Sequence, residues 1–132
     1  MTRGLLDTST LLLLAGLDPA DLPDEALISA VTLAELSVGP LLATTDEERV
    51  ARQAHVQQAE ADFDPIPFDA AAARAFGGVA ASLRAAGRKP TARAYDALIA
   101  ATAIAWDLPV YTCNPRNFEC IAGLGVHALT PE

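Results

Sequence analysis

Short apolar runs alternate with helical stretches along the whole chain, and this alternation constrains the fold more than any other feature. Candidate buried strands span 4–7, 26–29, 109–112 and 125–129. A further extended segment, 64–68, carries two prolines, which suit an edge strand or a strand entry. Because strands that alternate with helices form parallel sheets covered on both faces, the sequence predicts a three-layer α/β/α fold with a four- or five-stranded, mainly parallel sheet.

The helical stretches are bounded by capping and helix-breaking residues. Helices are predicted over 10–16, 31–38, 46–62, 70–86 and 91–106. The first is expected to use Thr8 or Ser9 as its N-cap. No internal repeat or low-complexity linker interrupts the pattern, so residues 1–132 are predicted to form a single domain with a sizeable core.

Composition indicates a folded globular protein outside the membrane. Hydrophobic residues make up 52% of the chain and charged residues 20%. No apolar stretch reaches membrane-spanning length and the N-terminus lacks the pattern of a signal peptide, so the expected location is the cytoplasm. There, Cys113 and Cys120 are expected to be reduced, and without nearby histidines a zinc site at these two thiols is not expected. The Leu11–Leu14 run and Trp106 are expected in the core.

The charge is unevenly distributed. A net charge of −8 disfavours nucleic acid as a partner. Residues 18–69, however, carry twelve acids and two bases, whereas residues 70–132 carry four acids and six bases. Two poles of opposite sign suggest a basic patch beside an acidic site, although a solvated arginine-rich loop explains the composition equally well. The candidates for binding nucleic acid through such a patch are Arg84, Arg88, Lys89, Arg93 and Arg116.

Three carboxylates lie at the boundaries of apolar runs: Asp7, Glu35 and Asp96. Ligands of a parallel sheet bind beyond the carboxyl ends of its strands, where Asp7 ends the first strand and Thr112 and Asn114 end a later one. Burying an unpaired carboxylate is costly, so three acids that converge there would make an oxygen cage for a divalent cation. Their repulsion should raise the pKa of at least one of them.

Simpler roles exist for two of these acids. Asp7 is equally placed to cap the following helix, and Asp96 lies in the first turns of its helix, where the helix dipole favours a negative charge. Arg93, three residues before Asp96, suits either a helical ion pair or an RNA phosphate. These separate roles leave Glu35, which interrupts an otherwise apolar helix face, without an explanation.

Four segments, in order, resemble the PIN-domain nucleases, and within them the VapC toxins of bacterial type II toxin–antitoxin pairs. They are Leu5–Ser9, Thr32–Leu36, Asp96–Ala103 and Leu108–Phe118, the last followed by Ile121–Leu124. The resemblance implies an endoribonuclease dependent on Mg²⁺ or Mn²⁺ that acts on structured RNA such as tRNA. It also implies a small cognate antitoxin of the VapB type, and a homodimer or a toxin–antitoxin hetero-oligomer without membrane association.

The resemblance assigns roles to individual residues. Asp7, Glu35 and Asp96 match the catalytic, metal-binding acids. The supporting residues that it implies are Thr8, Ser9, Thr112 and Asn114. Asn114 and Asn117 stand where many relatives carry an acid, so Asn114 is expected to reach a metal only through its carbonyl oxygen or a water molecule, and any second metal should bind more weakly.

Two other functions compete with a ribonuclease. Because Asn114 lacks the negative charge of an acid, the first alternative is a catalytically weak PIN-like module that binds RNA or protein. An aspartyl phosphatase would also place an Asp at the end of the first strand, but that chemistry usually needs a second Asp two residues on, where Ser9 stands. Exposed apolar residues between Leu36 and Val56 suit either an antitoxin groove or the core.

Overall fold

The computed structural model describes residues 1–132 and contains one four-stranded sheet. The strands are β1 (Arg3–Leu6), β2 (Glu25–Ile28), β3 (Val110–Thr112) and β4 (Val126–Ala128). They lie in the order β2-β1-β3-β4 and all neighbours are parallel, which confirms the predicted sheet. The proline-containing segment does not form a fifth strand. It makes a single bridge, between Ser29 and Ile66.

Five α-helices connect and cover the strands. They are α1 (Thr8–Leu12), α2 (Ala30–Val38), α3 (Asp46–Asp62), α4 (Ala70–Ala85) and α5 (Ala94–Ala105). Two predicted helices are shorter than expected. The first ends at Leu12 and is followed by a separate 3₁₀ turn. The last begins only at Ala94, because Pro90–Arg93 forms a separate 3₁₀ turn before it.

Two apolar cores, one on each face of the sheet, produce the three layers. Successive strand residues point to opposite faces, so Leu5 packs in one core and Leu6 in the other. The first core joins β1 and β3 to α4 and α5 through Val79, Leu83 and Ile99. The second joins the sheet to α2 and α3, where Leu36 and Val56 are both buried. These contacts bring α2 and α5 over the same edge of the sheet.

Some residues predicted for the core lie at the surface. Trp106 is 42% exposed, and Leu12 and Leu13 are each 45% exposed, so hydrophobicity alone placed them wrongly. Trp106 follows the last residue of α5, where the chain turns towards β3. None of the five helices combines the length and the hydrophobicity needed to cross a membrane.

Candidate active site at the carboxyl ends of the strands

Asp7 lies at the end of β1 and is almost completely buried, with 2% of its surface exposed. Its carboxylate accepts hydrogen bonds from the backbone N–H of Thr10 at 3.0 Å and from the Thr10 hydroxyl. The hydroxyls of Ser9, at 3.1 Å, and Thr112, at 2.7 Å, also donate to it. Asp7 is therefore the N-cap of α1, and the predicted cap at Thr8 or Ser9 is wrong. These donors fix the position of a buried negative charge.

Thr10 was missed by sequence reasoning, although it connects the ends of two strands. Its hydroxyl contacts Asp7 and also accepts a hydrogen bond from the backbone N–H of Cys113, just beyond β3, at 3.2 Å. The signal was available, because an N-cap aspartate receives the N–H two or three residues later. Thr112 lies at the end of β3, and its hydroxyl accepts a hydrogen bond from the backbone N–H of Asn114 at 2.9 Å.

Glu35 projects from α2 and is half-buried. Its Oε1 accepts a hydrogen bond from the Thr8 hydroxyl at 2.8 Å, and Thr8 in turn lies 3.1 Å from the hydroxyl of buried Thr32. Thr8 and Ser9, the two hydroxyl residues that follow Asp7, thus have separate partners. Ser9 contacts Asp7, whereas Thr8 contacts Glu35 and ties α1 to α2.

Asp96 lies in the first turn of α5 and shares an electrostatic site with the other two acids. Burial, followed by repulsion from Asp7 and then from Glu35, raises the pKa of Asp96 to about 6. Contact with the Asn117 amide and the charge of Arg93 oppose this rise. The rise expected for one of the three acids is thus found at Asp96, where burial is the largest cause and repulsion from Asp7 and Glu35 adds to it.

The three acids have the chemistry of a divalent-cation site without forming a closed cage. No salt bridge neutralises Asp7, Glu35 or Asp96. No group of three His, Cys, Asp or Glu side chains is close enough to hold a metal as it stands. Carboxylate oxygens are nevertheless the ligands that Mg²⁺ and Mn²⁺ prefer, and a cation would relieve the repulsion that raises the Asp96 pKa. The donor set therefore fits such an ion.

The two asparagines near the acids occupy different positions. Asn114 is exposed, and its side chain does not cap the 3₁₀ turn that follows it, Pro115–Phe118. The Asn117 amide instead lies near enough to Asp96 to oppose the rise in its pKa. Sequence reasoning had favoured Asn114 as the supporting amide, but the structure places Asn117 against an acid of the site.

Four of the five predicted RNA-binding residues line a single pocket beside the acids: Arg88, Lys89, Arg93 and Arg116. We call it the α4–α5 pocket; Leu83, Ala97, Asn117 and Ile121 also line it, and its volume is about 390 Å³. Arg84, the fifth candidate, does not line this pocket. Arg93 forms no salt bridge with Asp96, so the simple helical ion pair is not present.

The parallel sheet, with three coupled carboxylates at its carboxyl edge, defines the class of protein. Residues 5–124 match the family described as PIN domain, and the chain belongs to that family.

Within the family, the chain is similar to named ribonucleases. It is 39% identical to Ribonuclease VapC5 from Mycobacterium tuberculosis, over 91% of this chain and 88% of that protein. The crystal structure of VapBC-5 from the same organism, a member of the VapBC family of toxin–antitoxin systems, aligns with a TM-score of 0.83 and 35% identity over 97% of this chain and 99% of that chain. DNA-bound VapBC from Salmonella typhimurium aligns with a TM-score of 0.76 and 27% identity over 97% of this chain and 98% of that chain.

Proposed function

We propose that the chain is a metal-dependent endoribonuclease toxin that hydrolyses RNA phosphodiester bonds and is neutralised by a cognate VapB-type antitoxin. The observation that carries the proposal is the electrostatic coupling of Asp96 to Asp7 and Glu35 at the carboxyl edge of a PIN-domain sheet. The similarity to VapC ribonucleases supports the reaction type. Structured RNA such as tRNA is the proposed substrate.

Asp7, Glu35 and Asp96 would hold Mg²⁺ or Mn²⁺. When bound, such an ion lowers the pKa of a water molecule and offsets the negative charge that builds on the phosphoryl oxygens. Asp7 supplies a fixed anchor, because the Thr10 and Thr112 contacts restrict its carboxylate. Asp96 must lose its proton before it can act as a ligand, and its pKa of about 6 makes that loss easy at neutral pH.

Neighbouring side chains orient these ligands. Thr8 restricts Glu35, whose long side chain could otherwise move away from the site. Asn117 restrains Asp96 and favours its charged form. Hydrogen bonds of this kind orient metal ligands and raise the affinity of a site. Asn114 adds no charge, so one firmly bound metal is expected.

In the reaction, water adds to phosphorus and the bond from phosphorus to the leaving oxygen breaks.

A VapB-type antitoxin is the proposed partner, giving a toxin–antitoxin hetero-oligomer. A cleft of about 430 Å³ lies between α1, α2 and α3, with Leu11, Leu12, Leu14 and Leu36 on its walls. Asp62 also lines it, within the half of the chain that is rich in acids. This combination suits an amphipathic antitoxin segment with basic residues. The VapBC complexes among the similar structures support the same partner.

Cleavage of RNA by the purified chain tests the proposal. Total cellular RNA and tRNA are incubated with Mg²⁺, with Mn²⁺ or with EDTA, using the native sequence, Asp7→Asn and the surface control Asp107→Asn. We expect cleavage with either metal by the native and control proteins only. Cleavage in EDTA, or by Asp7→Asn at the native rate, would contradict the metal mechanism. RNA binding without cleavage under every condition would identify a binding module instead.

A further inference from the structure

The α4–α5 pocket carries positive charge that the protein leaves unpaired. Lys89, Arg93 and Arg116 take part in no salt bridge. Arg88 is the exception, since its guanidinium donates to the backbone carbonyl of Arg116 at 3.0 Å and lies 3.3 Å from Glu119. In a chain with a net charge of −8, such a local excess of cations favours an anionic ligand.

The interior of the pocket is apolar beneath this charged rim. Leu83, Ala97 and Ile121 line it, and each is buried, with at most 8% of its surface exposed. Arg88 and Arg116 approach from the rim, and Arg116 and Lys89 are exposed. Cations that bind a phosphate beside an apolar surface that covers a flat base suit a single nucleotide, and here aliphatic side chains stand where many single-strand sites have aromatic ones. The volume of about 390 Å³ lies in the range of small-ligand pockets.

The pocket is continuous with the acid site. A neighbouring depression contains Glu35 and Asp96, and the two share Ala92 and Arg93. Asn117 also belongs to both regions, because it lines the pocket and contacts Asp96. An RNA strand with one phosphate at the acids would therefore bring a flanking nucleotide to the pocket.

We propose that the α4–α5 pocket is a nucleotide subsite that binds the RNA residue next to the cleaved phosphodiester bond. Arg93 and Arg116 bind its phosphate, and its base lies over the apolar floor between Leu83 and Ile121. The inference rests on the proposed ribonuclease function and extends it, since this subsite would select which phosphodiester bond is cut.

Binding of a short, fluorescently labelled single-stranded RNA in EDTA, followed by anisotropy over a range of salt concentrations, tests the subsite without cleavage. Arg116→Glu reverses a charge on the rim, and Ala92→Leu narrows the pocket from an exposed position without adding an aromatic surface. The matched controls are Arg74→Glu and Ala51→Leu, both at exposed helical positions outside the pocket. Thermal melting checks that every variant is folded.

Each variant has its own expected signature. Arg116→Glu should weaken binding about tenfold or more and lower the slope of log affinity against log salt, because fewer counterions are released. Ala92→Leu should weaken binding by up to roughly tenfold while leaving that slope unchanged, because it takes the space of the base without changing the charge. Both controls should bind RNA like the native protein.

Three results would overturn the subsite: no RNA binding by the native protein, native affinity in both pocket variants, or an equal loss in the controls. Failure of the ribonuclease proposal gives a different result. In that case RNA still binds and both pocket variants still weaken binding, but no metal supports cleavage. Cleavage that persists together with native affinity in both pocket variants would instead refute the subsite alone.

Discussion

The acid site and the α4–α5 pocket lie side by side but have opposite electrostatics. At the acid site, burial together with repulsion from Asp7 and Glu35 raises the pKa of Asp96 to about 6. In the pocket, Arg93 and Arg116 have no carboxylate partner within salt-bridge distance. The two regions share Ala92 and Arg93, so clustered cations and clustered carboxylates lie next to each other.

This contrast separates binding from chemistry. Three carboxylates repel a phosphate unless a cation lies between them, whereas the pocket attracts phosphate without any metal. Affinity for RNA should therefore depend mainly on the pocket, and turnover mainly on the acids. Variants of the acids should mainly lower kcat, and variants of the pocket should mainly weaken RNA binding. The same loss of kcat and of RNA affinity in both groups of variants would refute this division of roles.

The largest expected effect is on turnover in Asp96→Asn. Losing a charged metal ligand should lower kcat by on the order of 10³-fold, as expected when several kcal/mol of transition-state stabilisation are lost. RNA affinity in EDTA should stay the same or increase, because one repulsive charge is gone. Single-turnover cleavage and anisotropy measure the two quantities, with Asp107→Asn as the control. Loss of RNA affinity equal to the loss of kcat would contradict the division.

Thr112→Val should have the next largest effect. With almost no change in shape, it removes the 2.7 Å hydrogen bond to Asp7 and the 2.9 Å hydrogen bond that the Asn114 backbone N–H donates to the same hydroxyl. Metal affinity should fall by roughly 10- to 100-fold, the usual cost of losing a hydrogen-bond partner of a metal ligand. A matched control is Thr102→Val, since Thr102 is equally buried but donates to the Leu98 carbonyl within α5. A titration of activity with Mn²⁺ should separate the two variants, and equal curves would exclude a supporting role for Thr112.

The pH dependence of cleavage should report Asp96. Because its pKa is raised to about 6, the carboxylate required for metal binding is lost as the pH falls through that value. At subsaturating Mg²⁺, kcat/KM should fall about tenfold for each pH unit below roughly 6, whereas RNA affinity in EDTA should change much less. A profile that is flat between about pH 5 and pH 7 would show that Asp96 does not titrate in the reaction.

The smallest predicted effect is on stability without metal. The pKa of Asp96 is higher in the folded state than in the unfolded state, so its protonated form contributes to the stability of the fold. That contribution is fully present below the unfolded pKa of 3.8 and is lost as the pH rises through about 6. Asp96→Asn should therefore raise Tm by roughly 2–5 °C near pH 8, and this gain should disappear near pH 4. Thermal melts in EDTA at both pH values test this, and an equal gain at both would contradict it.

Sequence reasoning recovered the framework because the determinants of the framework are local. Apolar runs bounded by turn residues predicted all four strands, and the parallel order of the sheet brought Asp7 and Thr112 to one edge. The same reasoning failed where packing between elements decides whether a side chain is buried. It predicted that Trp106 lies in the core, but this residue lies at the surface.

The details of the site were harder to predict than its location. Asn114 and Asn117 are equally plausible in the sequence, but the 3₁₀ turn between Pro115 and Phe118 brings Asn117 to Asp96. Arg84 and Arg116 likewise belong to the same basic region, and only the packing of α4 against α5 shows that Arg84 does not line the pocket. Spacing along the chain carries no information about such side-chain positions.

Calorimetric titration with Mn²⁺ tests the central claim, that Asp7, Glu35 and Asp96 bind a divalent cation, most directly. The titration compares the native chain, Asp96→Asn and Asp107→Asn near neutral pH, without RNA. The account predicts one Mn²⁺ per native chain, the same binding in the control, and loss of binding in Asp96→Asn. Native Mn²⁺ affinity in Asp96→Asn, or no binding by any of the three proteins, would contradict it.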